Sequence, residues 1–219
     1  MQRSTTPPPS NQCPEQQIGA PAFLWWIVGA ICLVEFTLSA ADAGFIGTSE
    51  WRWIAFTYGA FWQSLISGDA LPMFSGQSVT MFVTYAFLHG GLIHLAMNSA
   101  VLLGLGKAVA GRVGRAKTTT ILLLSAVGGA AAFGLISKSG TPMIGASGAV
   151  FGLLGVWQAW DYSARKQLNL PVTPVFSSVL GLVIVNVLLF VFMSGGLAWE
   201  AHLGGWLIGV AAAVTFARA

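Results

Sequence analysis

Three short polar signals interrupt an otherwise apolar sequence: His94-Leu95-Ala96-Met97-Asn98, Gly145-Ala146-Ser147-Gly148 and Ala201-His202-Leu203-Gly204-Gly205. Together they supply a hydroxyl nucleophile, an imidazole able to take its proton, and side chains that donate hydrogen bonds. Ionisable and strongly hydrogen-bonding groups are costly inside a bilayer, so their appearance at one end of several apolar stretches marks a site. The residue types point to nucleophilic chemistry at a carbonyl. Ser147 falls at the predicted start of a helix, where unsatisfied amide donors and a partial positive charge suit a developing oxyanion. Its small neighbours Gly145 and Gly148 leave room for a peptide. Serine beside glycine is also a common helix cap and membrane packing motif, so the signal gains its meaning from the other two.

The elements that must carry these residues follow from composition. The 219-residue chain is 55% hydrophobic and 8% charged, with a mean hydropathy of +0.75, which excludes an ordinary soluble domain and implies a polytopic, all-α membrane protein. A span needs roughly 20 apolar residues. Six stretches qualify, at about 21–41, 82–106, 118–137, 147–162, 174–194 and 199–217. One six-helix bundle over 21–217 uses nearly the whole chain. Residues 1–20, polar and containing Pro7-Pro8-Pro9, read as a disordered tail. No signal-peptide pattern precedes the first span, which is expected to stay attached. Cys13 in the tail and Cys32 in the first span lie at different depths and are not expected to pair.

The net charge of +3 matters through its placement. With a cytoplasmic amino terminus and six spans, Arg3, Lys107, Arg112, Arg115, Lys117, Arg165, Lys166 and Arg218 fall on the cytoplasmic side, leaving Arg52 and Lys138 outside. Both termini are then cytoplasmic, and spans two, four and six start on the outer face with their polar signals. The basic residues flank spans and do not interleave with exposed aromatics, so no nucleic-acid partner is expected. The outer segment, about 42–81, carries Trp51, Trp53, Phe56, Tyr58, Phe61 and Trp62 with little charge. Two readings are open for it: short helices lying partly in the outer leaflet, or a plain aromatic belt.

His202 starts span six at a depth similar to Ser147. Contact between them requires spans four and six to approach closely, and both carry glycines at spacing four, Gly148 and Gly152 and then Gly205 and Gly209. His94 and Asn98 are four apart, hence on one helical face, and can donate together to the oxygen of a tetrahedral intermediate or simply bond to loops. His89, beside Gly90-Gly91, is expected to be structural. No acid is placed to orient His202. Asp161 is fourteen residues beyond Ser147, about 21 Å along a helix, and Glu200 points to another face, so a dyad is expected in preference to a triad. There is no His-Glu-x-x-His zinc motif and no facing pair of aspartates, and no metal or cofactor is implied. Glu35 and Asn186 lie outside this pattern.

The three signals, in this order on spans two, four and six, resemble the rhomboid family of intramembrane serine proteases. The resemblance covers about residues 21–217 and rests on His-x-x-x-Asn at His94 and Asn98, Gly-x-Ser-Gly at Gly145, Ser147 and Gly148, and Ala-His-x-x-Gly-x-x-x-Gly at Ala201, His202, Gly205 and Gly209. It implies Ser147 as nucleophile, His202 as general base, and an oxyanion site from His94, Asn98 and the Ser147 amide. It also implies that Phe151 packs against His202, that Met193 to Trp199 forms a lid, and that span five is a gate. The family's Trp-Arg pair ahead of the His89 position is replaced by Thr80-Met81, and Trp51-Arg52 lies too far upstream to be equated with it. The implied function is cofactor-independent hydrolysis of a peptide bond in or next to the transmembrane segment of single-pass or membrane-anchored proteins. The implied location is the inner (plasma) membrane, within the lipid bilayer, with the site open to the periplasmic side. The rivals are a catalytically silent relative that binds transmembrane helices, and a transporter, which would place polar residues nearer the bilayer centre.

Overall fold

A computed structural model describes residues 19–216. The expected tail, with Cys13 and Arg3, lies almost wholly outside the described residues, as does Arg218. The described chain forms α1 (Ala22–Asp42), α2 (Glu50–Gly59), α3 (Gln63–Ser67), α4 (Gln77–Thr84), α5 (Leu92–Ile136), α6 (Ser147–Gln167), α7 (Thr173–Phe192) and α8 (Trp199–Phe216). Among the described residues there is no strand beyond one isolated antiparallel bridge, between Phe61 and Met143.

Helix α5 runs for 45 residues, about 67 Å at the helical rise, twice the hydrocarbon thickness. It folds back at Gly114, whose φ of 81° and ψ of 169° break the helix, and its arms at 92–113 and 115–136 are two spans. With α1, α6, α7 and α8 they make the six-span bundle. Helices α1, α5 and α7 are long and apolar enough to cross a membrane by composition alone. Helices α6 and α8 pack mainly against protein, with glycines at 148, 152 and 155 and at 204, 205 and 209 in close contact with neighbouring helices, so lipid does not dictate their surface.

The second span begins ten residues later than its apolar run suggests. Residues 82–91 are divided among the end of α4, a 3-10 turn at Tyr85–Phe87 and a loop. Gly91, at φ 115°, sets the entry to α5, a conformation that a side chain would strain. The aromatic segment between spans one and two does contain short helices, α2 to α4, with Trp51, Trp53, Ile54 and Tyr58 exposed. It also reaches the core: Phe61 and Tyr85 are fully buried, packing with Met81, Phe133, Met143 and Ala201.

The bundle has two chemically different ends. At one, Arg112 lies over the Trp160 ring, Arg115 over Phe23 and Lys117 over Phe216, gathering the start of α1, the Gly114 turn and the last turns of α6 and α8. The three polar signals lie at the other. There, Arg52 of α2 is clamped to α1. Its guanidinium donates to Glu35 Oε1 and Oε2 at 2.9 and 3.0 Å, to Asp42 Oδ2 at 2.6 Å, and to the His89 carbonyl at 2.9 Å. These bonds, to Glu35 first, raise its pKa above the ordinary arginine value against the cost of burial. Glu35 is fully buried, and its place in span one is explained by this cation. Removing one partner of a buried pair strands the other charge. Arg52→Ala is therefore expected to lower stability by about 3–5 kcal/mol, read by thermal denaturation in detergent, and Glu35→Gln combined with it recovers much of the loss.

Candidate active site

Helices α6 and α8 meet backbone to backbone. A Cβ at Gly205 would run into the Gly148 carbonyl, one at Gly209 into the Gly152 carbonyl, and one at Gly155 into the Trp206 carbonyl. The second arm of α5 closes on the same centre, since a Cβ at Gly129 would stand 2.8 Å from the Ala201 carbonyl oxygen. Only glycine permits this approach. Its result is that Ser147, the first residue of α6, and His202, in the first turn of α8, come into contact, with Oγ and Nε2 2.9 Å apart. His202 is buried, and the Phe151 ring, one turn along α6 from Ser147, stacks on it at a centroid distance of 4.0 Å and an interplanar angle of 8°.

The loop before Ser147 is held from two directions. Phe61 and Met143 exchange amide bonds at 3.0 and 2.9 Å, and the Gly145 amide donates to the Tyr85 carbonyl at 3.0 Å. The Tyr85 hydroxyl crosses the core to donate to the Ala126 carbonyl at 2.8 Å. Gly145 has φ +111°, and a Cβ there would stand 2.6 Å from His94 Cε1 and 2.7 Å from Nε2. The His94 ring thus lies directly against the backbone leading to Ser147. The Gly90 amide donates to His94 Nδ1 at 3.3 Å, so a neutral ring carries its proton on Nε2, the atom turned toward Gly145. Asn98 is buried and gives one amide hydrogen to the His94 carbonyl at 3.1 Å. Neither side chain hydrogen-bonds to Ser147 among the described residues. His89 is fully buried, edge-on to His94 with centroids 5.0 Å apart.

The Nδ1 side of His202 holds a residue that the three motifs do not include. Asn186 Oδ1, from α7, lies 2.5 Å from His202 Nδ1. Asp161 instead pairs with Arg165 at 3.0 Å. Asn186 is the one strongly polar residue between Ser178 and Ser194, and an isolated carboxamide in an apolar span was its available signal.

The Rhomboid domain family model matches residues 76–219, well over half of the chain. This chain belongs to the rhomboid family. It is an all-α, multi-pass membrane protein. Over 156 residues it is 31% identical to rhomboid protease GlpG of Yersinia pestis (strain Pestoides F), a match covering 67% of this chain and 54% of that protein. It is also 31% identical over 146 residues to RHOMBOID-like protein 4 of Arabidopsis thaliana, covering 64% of this chain and 35% of that protein. It is 32% identical over 131 residues to rhomboid protease GluP of Bacillus subtilis (strain 168), covering 60% and 25% respectively. The matches thus span from a quarter to about half the length of these relatives.

The glycine contact makes a direct prediction for this rhomboid. Gly205→Ala must push α8 away from α6, an overpacking cost of about 1–3 kcal/mol, and is expected to lower the melting temperature of the detergent-solubilised protein.

Proposed function

We propose that this rhomboid is an intramembrane serine protease that hydrolyses a peptide bond in or next to the transmembrane segment of a single-pass or membrane-anchored protein. The observation that carries this reading is the 2.9 Å contact between Ser147 Oγ and His202 Nε2 at the start of α6, with the His94 ring against the adjoining Gly145.

In the proposed reaction His202 takes the Ser147 hydroxyl proton as Oγ adds to the scissile carbonyl carbon. The oxyanion accepts hydrogen bonds from the Ser147 amide, which has no i−4 acceptor at a helix start, and from His94 Nε2. Asn98, whose second amide hydrogen has no acceptor among the described residues, is the further donor. The intermediate collapses as the imidazolium protonates the leaving amine. A water activated by His202 then releases the acyl group from Ser147. Gly145, Gly148, Gly205 and Gly209 serve as supporting positions that let the two helices and the peptide approach, and Phe151 holds the imidazole plane. No metal or cofactor enters any step.

The two ends of the bundle support an orientation. With the basic end at Arg112, Arg115 and Lys117 in the cytoplasm, the chemical end opens to the periplasmic side. Both termini are then cytoplasmic, in the inner (plasma) membrane, and water reaches Ser147 from outside. Residues 21–217 form the protease domain and 1–20 a cytoplasmic tail.

A fluorophosphonate probe tests the reading on detergent-solubilised protein. Wild type should be labelled, and Ser147→Ala and His202→Ala should abolish labelling while leaving the melting temperature within a few degrees. Unlabelled but well-folded wild type would favour the silent helix-binding alternative. In reconstituted vesicles with a transmembrane substrate, His94→Ala and Asn98→Ala should each lower kcat by about 10- to 1,000-fold with smaller changes in KM.

A further inference from the structure

We infer that Asn186 is a positioning residue for His202, so that the protease reading above, on which this rests, involves three side chains from three successive helices. The carboxamide orientation follows from its own bonds. Asn186 Nδ2 lies 2.9 Å from the Leu182 carbonyl oxygen, an atom that can only accept, so the nitrogen end must face Leu182 and the oxygen end must face His202. Oδ1 is itself only an acceptor. The 2.5 Å contact with His202 Nδ1 therefore requires Nδ1 to carry a proton.

A neutral imidazole with its proton on Nδ1 presents a lone pair at Nε2, the atom 2.9 Å from Ser147 Oγ. The hydroxyl is thereby assigned as the donor, which is the polarity a general base needs. In the opposite tautomer the ring would donate to Ser147 and could not accept its proton. Phe151 fixes the ring plane by stacking, but a stacked ring can still flip between its two nitrogens. Asn186 removes that freedom. A carboxamide does this without placing a carboxylate in the bilayer, whose desolvation is costly.

The bond is also the upper tie between α7 and the bundle. Of α7 only Val175 is buried. A second polar tie runs from Gln158 Nε2 to Ser178 Oγ at 3.1 Å, about two turns from Asn186. Beside Asn186 the interface opens into an apolar cavity of about 450 Å³ lined by residues that include Phe151, Phe190, Trp199 and Leu203. His202 is thus oriented by the span least embedded in protein, and its tautomer depends on α7 staying docked at this depth.

The test is the second-order rate of inactivation by a small fluorophosphonate, in which the Oγ–P bond forms, fluoride leaves and the hydroxyl proton passes to His202. No substrate helix has to enter. Asn186→Ala and Asn186→Leu are expected to slow inactivation at least about tenfold, and Asn186→Asp, which as the neutral acid keeps an acceptor toward His202 and a donor toward the Leu182 carbonyl, to retain most of the wild-type rate. Ser178→Ala, which cuts the other tie of α7, should leave the rate within about twofold. An Asn186→Ala rate equal to wild type would overturn the inference and leave the protease reading standing. So would equal losses in Asn186→Ala and Ser178→Ala, or failure of Asn186→Asp to recover the rate, since these would reduce Asn186 to a packing role. Absence of labelling in folded wild type would sink both.

Discussion

The structure depends on how closely two helix backbones can approach. Glycines at 155, 205 and 209 bring α6 and α8 together until a single methyl group would collide with a carbonyl oxygen, while one at Gly148 or Gly152 would strike the Tyr85 hydroxyl or the Ser125 side chain. Lipid offers no hydrophobic drive between such helices, so attraction comes from the close contact itself and from dispersion along it. The separation of Ser147 and His202 is inherited from that contact. Two side chains 55 residues apart in sequence stand at hydrogen-bond distance because of residues that have no side chain.

A second constraint works at the end of the bundle that holds the polar signals. Arg52 joins α1, α2 and the His89 carbonyl through one guanidinium, and the Phe61–Met143 bridge ties the same segment to the loop before Ser147. The segment between spans one and two is therefore part of the frame that positions both His94 and Ser147. Its exposed face is aromatic and suits the bilayer interface, while its inner face supplies Phe61 and the adjoining turn supplies Tyr85, both fully buried.

Much of this was legible in sequence because the informative patterns are local. The glycine spacings on α6 and α8 announce close packing, and span length with glycine punctuation locates most helix ends to within a residue or two. The approach of Ser147 to His202 follows once spans four and six are paired, and the stacking of Phe151 was implied by the family resemblance. Hydropathy could not place the start of span two, because residues 82–88 extend its apolar run yet close α4 and form the turn at Tyr85–Phe87, with Tyr85, Leu88 and His89 buried. The partners of Glu35 and Asn186 were illegible for another reason. Each finds a polar group on a different helix, at a depth and rotation fixed only by tertiary packing, and no local period encodes that. Arg52 reads as an outer-loop cation by topology, but its pairing with a buried carboxylate on α1 depends on how α2 lies against that helix.

The chain supplies the three contacting side chains in order, Ser147 on α6, Asn186 on α7 and His202 on α8. His202 is on the last of these helices, so His94, Asn98, Ser147 and Asn186 all precede it in the chain. The Ser147–His202 contact is closed by α8, which lies in a glycine-lined seam against α5 and α6. The pair therefore exists only where the last helix is packed into that seam, and a chain that stops before α8 holds the hydroxyl without the imidazole.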